Sequence, residues 1–418
     1  MLKKYIYIII LFSLSVFSAF LIFDYSFKVN VHKLLITSYD KLISKEKKYE
    51  IYQDKIDQGY LSSKFGELKL TKIKLSEKDF NVPLGYIELV KNNIVFFRTD
   101  GDLIILDKDF NKQKIKNNIT NYFNKDLDEK YYENKEYPFD PFVINPIRDI
   151  LYHEGFLYVV LLSKEIIDQR LGYTTVVLKG KFNLNNIDFE YFFKPDHFAF
   201  GEIDTWHTGG RLVADDKNKF FLAVPDYGKI NLINNEKSIF GKVIKIKSIN
   251  DYEIISQGHR NPQGLYFDMD EKILLESEHG PASGDEVNII KKDKNYGWPS
   301  TSIGIHDDYV KFHNHSKKGF EEPAYAWTPH SSGASQITKV NHSSKFKFKD
   351  HYIVSTLSGK NYYYGNHLYI FKIEGNKVKM KDKIYIADRV RDIHYDKNND
   401  RIILSLENEE SIAIIEVN

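Results

Sequence analysis

Residues 393–409 read IHYDKNNDRIILSLENE, and this stretch decides the fold. A short apolar run is followed by a polar turn rich in Asp, Asn and Lys and then by a second apolar run, a pattern that predicts a β-hairpin. The same unit occurs five more times along the chain, beginning at Ile87, Ile150, Leu212, Leu265 and Ile337. Successive units start between 53 and 72 residues apart, which is too irregular for a solenoid and typical of propeller blades with loops of variable length.

Six hairpin units in one chain predict an all-β fold, a six-bladed β-propeller. A two-domain all-β protein with similar hairpins is the alternative. In a propeller, loops from all the blades surround a central channel. We therefore expect functional side chains where strands from several blades open toward one face.

Composition excludes several classes of protein. The 418 residues include 59 Lys and Arg against 58 Asp and Glu, a net charge of +1, so no global field attracts nucleic acid. The chain has no Cys, which excludes disulfides, thiolate nucleophiles and Cys-ligated metal centres. Any redox chemistry must therefore use a bound cofactor.

The N-terminus has the pattern of a membrane anchor. Residues 5–23 form a run of 19 residues without charge that follows two lysines, and this length is just enough to span a bilayer as a helix. We predict an uncleaved anchor over residues 1–27, a stalk over 28–64 and the propeller over 65–418. The propeller would then lie on the periplasmic or extracytoplasmic side, attached to the membrane. A cleaved signal peptide and a buried N-terminal helix are the alternatives.

The first candidate for chemistry is the segment WHTGGRL, residues 206–212. His207 opens one predicted strand and Asp226 ends the next, so a hairpin brings the two side chains together. An imidazole held by a carboxylate is a competent general base, because the carboxylate fixes the tautomer and stabilises the imidazolium that forms. The alternative is that His207 only satisfies backbone groups beside the Gly-Gly turn.

The second candidate is residues 258–299, GHRNPQGLYFDMDEKILLESEHGPASGDEVNIIKKDKNYGWP. Arg260 and Asn261 precede a proline and form a polar pair on a rigid turn, suited to an anionic or carbonyl-rich ligand. The carbonyls of Gly280 and Pro281 can turn outward as hard oxygen ligands for Ca²⁺.

A second ion could bind through the Glu286 carboxylate and the Tyr296 carbonyl, which follow in the same run. The alternative for the whole run is a set of Gly/Pro loops that simply close the blades.

The run over residues 258–299 resembles the signature of the soluble pyrroloquinoline quinone (PQQ)-dependent glucose and aldose sugar dehydrogenases, the glucose/sorbosone dehydrogenase family. HTGGRL and the Asp that follows it are similar to the family's catalytic His and orienting Asp. The segment RVRD, residues 389–392, is similar to its paired cofactor arginines. The resemblance covers roughly residues 200–395. Members of the family are six-bladed propellers, in agreement with the hairpin units.

The resemblance implies a cofactor, a reaction and a set of site residues. PQQ would lie over the channel mouth with Ca²⁺ beside it, and an aldose sugar would be oxidised to its lactone, with the electrons passed to an external acceptor. His207, oriented by Asp226, would take the proton of the anomeric hydroxyl, and Arg260 would stabilise the developing oxyanion. PQQ binding is assigned to Arg260, Asn261, Arg389 and Arg391, and the Ca²⁺ ligands to Gly280 and Pro281.

The sequence departs from the family pattern at two positions. The family's lysine after a V-x-S-L strand is replaced where this chain reads VSTLS over residues 354–358, and Lys360 is the candidate for that cofactor contact. The family's site Gln is not recognisable, and Arg148, or nothing, takes its place. These departures keep two other functions open, a noncatalytic ligand- or protein-binding propeller of the same family and a metal-dependent lactonase.

Overall fold

In a computed structural model of the protein, the described residues are 56–75, 85–124, 127, 146–281, 283–304, 315–328, 331–357 and 365–417. The chain divides into two units, residues 1–51 with 58–60 and residues 52–57 with 61–418. The predicted anchor, residues 1–27, lies outside the described residues. Within the part of the chain that is described, no helix has the length and hydropathy needed to cross a membrane.

The first two blades are built from the N-terminal half of the chain. It opens with two strands that belong to the last blade, β1 (Ile56–Ser63) and β2 (Gly66–Lys74). The first blade contains β3 (Gly85–Val90), β4 (Asn93–Arg98), β5 (Leu103–Leu106) and β6 (Lys112–Asn117). The second contains β7 (Ile147–His153), β8 (Phe156–Ile167) and β9 (Arg170–Lys181). Three short strands complete these sheets, β10 (Asn186–Ile187) on β6, and β11 (Phe189–Phe193) and β12 (Ala199–Phe200) on β9.

The remaining blades follow in order. The third contains β13 (Arg211–Ala214), β14 (Phe220–Val224), β15 (Lys242–Ile246) and β16 (Tyr252–Gln257). The fourth contains β17 (Pro262–Asp268), β18 (Ile273–Glu278), β19 (Asp285–Ile290) and β21 (Tyr325–Trp327), while β20 (Lys294–Asn295) pairs with β16. The fifth contains β22 (Ala334–Lys339), β23 (Tyr352–Thr356), β24 (His367–Glu374) and β25 (Lys377–Tyr385). The sixth contains β26 (Val390–Asp396), β27 (Arg401–Leu406) and β28 (Ser411–Val417).

The helical elements whose bounds the structure describes are short. One four-residue helix, α1 (Ile230–Ile233), connects β14 to β15. Single 3-10 turns lie at Ile119–Tyr122, Thr205–His207 and Ser316–Lys318.

Each predicted hairpin unit is the inner pair of strands of one blade. The innermost strands contact one another in turn around the axis, in the order β3, β7, β13, β17, β22 and β26, and β26 contacts β3 to complete the ring. The predicted six-bladed β-propeller is therefore confirmed. The ring also excludes the alternative of two separate all-β domains with similar hairpins.

Strands from both ends of the described chain close the ring. β2 pairs antiparallel with β28, from Leu68 opposite Val417 to Lys74 opposite Ser411. The closing sheet thus combines β1 and β2 with β26, β27 and β28. Residues 56–63, which we assign to the stalk from the sequence, form the outermost strand of this sheet.

The hydrophobic core lies between neighbouring blades. Among the described residues, six buried clusters each join one pair of adjacent blades. Between the second and third blades, for example, Val160 and Phe193 belong to the same cluster as Leu222 and Phe240, and all four are at most 1% exposed. Fully burying a side chain of this size contributes roughly 1.5–3 kcal/mol, so every interface stabilises the ring.

One buried arginine ties the inner strands together at the axis. Arg211 on β13 donates from Nη1 to Asp149 Oδ1 on β7 (2.8 Å) and to Asp392 Oδ1 on β26 (3.1 Å). Its Nε donates to the Gln263 carbonyl on β17 (2.6 Å), and its Nη2 donates to the Arg391 carbonyl (2.9 Å). Arg211 therefore fixes four inner strands at the level where they begin.

Candidate active site

One cavity opens where the inner strands begin, at one mouth of the central channel. Its volume is about 390 Å³, within the range of small-molecule sites. Residues from all six blades line it. The predicted site residues among them are His207, Arg260, Asn261, Gly280, Pro281, Arg389 and Arg391, and Arg148 lines the cavity as well.

The predicted His–Asp pair forms at the wall of this cavity. His207 ends the 3-10 turn Thr205–His207, whose N-terminus is capped by the side chain of Asp204. Asp226 follows β14, and its side chain is fully buried. The two side chains are hydrogen-bonded, with 2.9 Å between His207 Nδ1 and Asp226 Oδ1.

Asp226 is itself held in place. Its Oδ1 accepts from the Gly228 N–H (2.8 Å), and its Oδ2 accepts from the indole N–H of Trp298 (2.7 Å). When Nδ1–H of His207 donates to this carboxylate, the imidazole keeps its lone pair on Nε2. Asp204 Oδ2 lies 3.6 Å from that Nε2. The geometry is that of a general base with an orienting carboxylate.

Arg260 lies in the cavity wall beside the loop that follows β18. Its backbone N–H donates to Glu278 Oε2 (2.5 Å), and its Nη1 donates to the carbonyls of His279 (3.1 Å) and Gly280 (2.7 Å). The guanidinium carbon lies 5.3 Å from the centre of the Trp298 ring, a cation–π distance. The buried Nε has no hydrogen-bond partner, so one charge-assisted donor is available to a ligand.

Asn261 lines the cavity and also has a structural part in its geometry. Its Oδ1 accepts from the Gly209 N–H (3.2 Å) and from Gln263 Nε2 (3.0 Å). Its Nδ2 donates to the Trp206 carbonyl (2.9 Å). The amide therefore fixes the backbone on both sides of His207, and its predicted contact with a cofactor stays a prediction.

Arg389 and Arg391 form a pair around one carboxylate. Arg391 Nε donates to Glu407 Oε1, and Arg389 Nε donates to Glu407 Oε2 (2.5 Å). Burial alone would raise the pKa of Glu407, but the two arginines lower it below its ordinary value. Arg391 Nη1 also donates to Gln263 Oε1 (3.0 Å). Two guanidinium groups at the cavity wall thus share the Glu407 carboxylate.

The two predicted carbonyl ligands, Gly280 and Pro281, lie on a braced loop. The Gly280 N–H donates to Asp285 Oδ1 (3.1 Å). Asp285 Oδ2 accepts from the N–H groups of Ser332 (2.7 Å) and Gly333 (2.6 Å), which joins this loop to the one before β22. The Gly280 carbonyl accepts one hydrogen bond, from Arg260. Because a carbonyl oxygen has two lone pairs, that bond is compatible with an ion at the same oxygen.

The other predicted ion ligands lie beside a second, smaller cavity. Glu286 and Tyr296 line a space of about 10 Å³, which is room for about one water molecule. Burial raises the pKa of Glu286 well above its ordinary value, and the neighbouring Glu278 raises it further. A cation at this carboxyl would lower its pKa again, because a positive charge stabilises the ionised form.

Several residues of the cavity have no role assigned from the sequence. His279 lines the cavity with a buried Nε2 that has no hydrogen-bond partner. Burial lowers the pKa of His279 to about 4, so its ring is neutral at neutral pH. Its position directly before Gly280 is a signal that could have identified it. Tyr86 also lines the cavity, but nothing in the sequence distinguishes it from the other tyrosines.

One predicted cofactor contact cannot be placed. Lys360 and the neighbouring Ser358 lie outside the described residues, so the contact stays a prediction. Leu357, directly before this segment, lines the cavity.

The sequence profile of the Glucose / Sorbosone dehydrogenase family matches residues 152–415. The aldose sugar dehydrogenase YliI of Escherichia coli is 30% identical over 209 residues, which cover 45% of this chain and 54% of that protein. Quinoprotein glucose dehydrogenase B of Acinetobacter calcoaceticus is 35% identical over 173 residues, which cover 34% of this chain and 35% of that protein. The matches thus span about half or less of these relatives.

Solved structures share the fold over most of the chain. The soluble aldose sugar dehydrogenase from Escherichia coli, in its apo form, has a TM-score of 0.62 at 20% identity, over 84% of this chain and 99% of that chain. The PQQ-bound form of an aldose sugar dehydrogenase from Streptomyces coelicolor has a TM-score of 0.58 at 16% identity, over 82% and 96%. At these identities the likeness shows the propeller fold. Because the family profile matches more than half of the residues, the chain belongs to the glucose/sorbosone dehydrogenase family.

Proposed function

We propose that this protein oxidises an aldose sugar to its lactone with PQQ as the electron-accepting cofactor and Ca²⁺ as its metal ion. The observation that carries this proposal is the composition of one cavity, where a histidine held by a buried carboxylate lies with four arginines. A base is required to remove the proton of the substrate, and cations are required to hold an anionic cofactor beside it. Membership of the family supports the same reaction.

The polar groups of the cavity fit a planar, multiply charged ligand. Arg260, Arg389 and Arg391 can each donate to carboxylates, and Arg260 Nε and His279 Nε2 are buried without hydrogen-bond partners. Unsatisfied buried polar atoms at a cavity wall are expected where a ligand completes the hydrogen bonds. The three carboxylates of PQQ are suitable acceptors for the arginines.

Arg260, Arg389 and Arg391 would hold PQQ, which would supply the acceptor for the hydride of the anomeric carbon. His207 Nε2 takes the proton of the anomeric hydroxyl at the same time, so the sugar loses one hydride and one proton and becomes the lactone. Asp226 stabilises the imidazolium that results. Arg260 donates toward the oxygen on which negative charge develops.

Ca²⁺ completes the proposed site. The carbonyls of Gly280 and Pro281 would hold it, and the ion supplies Lewis-acid chemistry beside the cofactor. A second Ca²⁺ is proposed beside the smaller cavity, where the Glu286 carboxylate and the Tyr296 carbonyl would be its hard oxygen ligands.

The partners and the compartment follow from the reaction and the N-terminal sequence. The reduced cofactor must be reoxidised, so we propose an external electron acceptor. The uncharged run at residues 5–23 supports a position on the periplasmic or extracytoplasmic side, attached to the membrane through the N-terminal segment.

Reconstitution with PQQ and Ca²⁺, followed by an aldose screen with a redox dye, tests the proposed function. We expect dye reduction that NAD(P) in place of PQQ does not support. His207→Ala should keep PQQ binding and lose turnover by about 100-fold or more, and Asp226→Asn should lose less. His153→Ala is the matched control, because His153 lies at the end of β7 remote from the mouth and should leave turnover unchanged.

Two outcomes would contradict the proposal. If PQQ saturates the protein and no aldose is oxidised, the noncatalytic binding function is favoured. If His207→Ala keeps near-normal turnover, the assignment of the base is wrong.

A further inference from the structure

Trp206 is the most exposed large hydrophobic residue among those that the structure describes. It is 71% exposed, whereas Trp298 and Trp327 are 8% and 3% exposed. An indole carries one of the largest apolar surfaces of any side chain, and leaving it in water forgoes the free energy of burying it. An exposed tryptophan at a cavity is therefore a candidate binding surface.

The backbone of Trp206 is fixed at both its polar groups. Its N–H donates to Asp204 Oδ1 (3.0 Å), and its carbonyl accepts from Asn261 Nδ2 (2.9 Å). Thr208 Oγ1 donates to the Thr205 carbonyl (2.7 Å) across the same turn. The indole is therefore presented by an ordered turn, which lowers the entropy lost when a ligand binds to it.

Trp206 also lies directly beside the proposed base. It precedes His207 in the chain, and both residues line the same cavity. Most of the other side chains around this cavity are polar or charged. A sugar ring needs both surfaces, since its C–H groups form an apolar face and its hydroxyls need hydrogen-bond partners.

We propose that Trp206 is the platform on which the sugar ring stacks, so that the anomeric hydroxyl comes within reach of His207. This inference rests on the proposed function, because it assigns a positioning role within that site. The ligand class is a pyranose or furanose sugar, recognised through its C–H face.

The test compares Trp206→Ala and Trp206→Phe with the wild-type holoenzyme loaded with PQQ and Ca²⁺. Trp206→Ala should raise KM for an aldose by about 10-fold or more, the size expected for a lost stacking contact, with kcat changed much less. Trp206→Phe should restore most of the affinity, since it keeps an aromatic face. PQQ affinity should be the same in all three proteins.

Met269→Ala is the matched control. Met269 is 45% exposed in the turn after β17, at the end of that strand remote from the cavity. Loss of this exposed apolar side chain should leave KM and kcat at their wild-type values.

A binding measurement separates this inference from the proposed reaction. Calorimetric titration with 1,5-anhydroglucitol, a sugar without the anomeric hydroxyl, should show binding to the wild-type holoenzyme that Trp206→Ala weakens. If 1,5-anhydroglucitol binds in this way and no aldose is oxidised, the proposed reaction is wrong and the role of Trp206 in sugar binding is supported.

Three results would overturn the platform. The first is an unchanged KM in Trp206→Ala, and the second is no binding of the sugar to the wild type. The third is a loss of PQQ affinity in Trp206→Ala, which would assign the indole to the cofactor.

Discussion

Two arginines lie at different levels of the channel, and they differ in what their side chains bind. Arg211, at the axis, donates from all three of its nitrogens to acceptors of the protein. Arg260, at the mouth, donates from Nη1 to two carbonyls and has a buried Nε with no hydrogen-bond partner. Arg211 is 1% exposed, whereas Arg260 is partly exposed to the cavity with its Nε buried.

The difference indicates which cation is structural and which serves a ligand. A buried charge whose donors are all satisfied stabilises the arrangement of the groups around it. A buried charge with an unsatisfied donor is costly by itself and is expected where a ligand supplies the missing acceptor. Arg211 therefore belongs to the architecture of the ring, and Arg260 belongs to the site.

The largest expected effect is that of Arg211→Met on stability. The substitution leaves the carboxylates of Asp149 and Asp392 buried without their partner, and breaking a buried ion pair in this way typically costs about 3–5 kcal/mol. Chemical denaturation should show a loss of unfolding free energy of that size. Arg170→Met is the control, since Arg170 is exposed at the start of β9, where its guanidinium lies 4.1 Å from the centre of the Phe200 ring, and this variant should lose much less. Equal losses in both variants would contradict a special role for Arg211.

The matched substitution at the mouth, Arg260→Met, should act on ligand binding. A charge-assisted hydrogen bond contributes roughly 1.5–3 kcal/mol, so the dissociation constant of PQQ should rise by about 10- to 150-fold. The unfolding free energy without PQQ should change by less than that of Arg211→Met. A variant with wild-type PQQ affinity would show that Arg260 does not contact the cofactor.

The sequence alone predicts some strands of the propeller and misses others. The inner hairpins could be predicted, because each combines two apolar runs with a polar turn. Short edge strands such as β10 and β20 could not, since two residues carry no periodicity. The first strand, β1, escaped notice because its pairing depends on closure with the other end of the chain.

The candidate site was predictable only where its residues are close in sequence. His207 and Asp226 belong to consecutive strands of one blade, so the hairpin pattern brings them together. Glu407 directly follows β27 and pairs with Arg389 and Arg391 at the start of β26, and nothing in the sequence distinguishes it from other acidic turn residues. Asn261 was identified as part of the site, but its amide is used by the protein backbone.

The smallest expected effect concerns pH and a residue in the wall of the fifth blade. Burial lowers the pKa of His367 to about 4, and its ring donates to the Gly365 carbonyl. The unfolded chain has the ordinary His pKa of about 6.5, so below that pH the unfolded state takes up a proton that the native state does not. The unfolding free energy should therefore fall as the pH drops from about 6.5 toward 4.

Denaturation at pH 7 and pH 5 measures this effect. We expect the His367 contribution to be about 1–2 kcal/mol between the two values, and His367→Asn should lose that part of the difference. If the variant and the wild type show the same dependence on pH, the ring is not buried in its neutral form.

Titration of PQQ into the Ca²⁺-loaded wild-type protein tests the central claim most directly, because it asks whether the arginine-lined mouth is a cofactor site. The account predicts saturable binding of one PQQ per chain, with binding retained in His207→Ala and weakened in Arg260→Met. The absence of saturable binding to the wild type would contradict it.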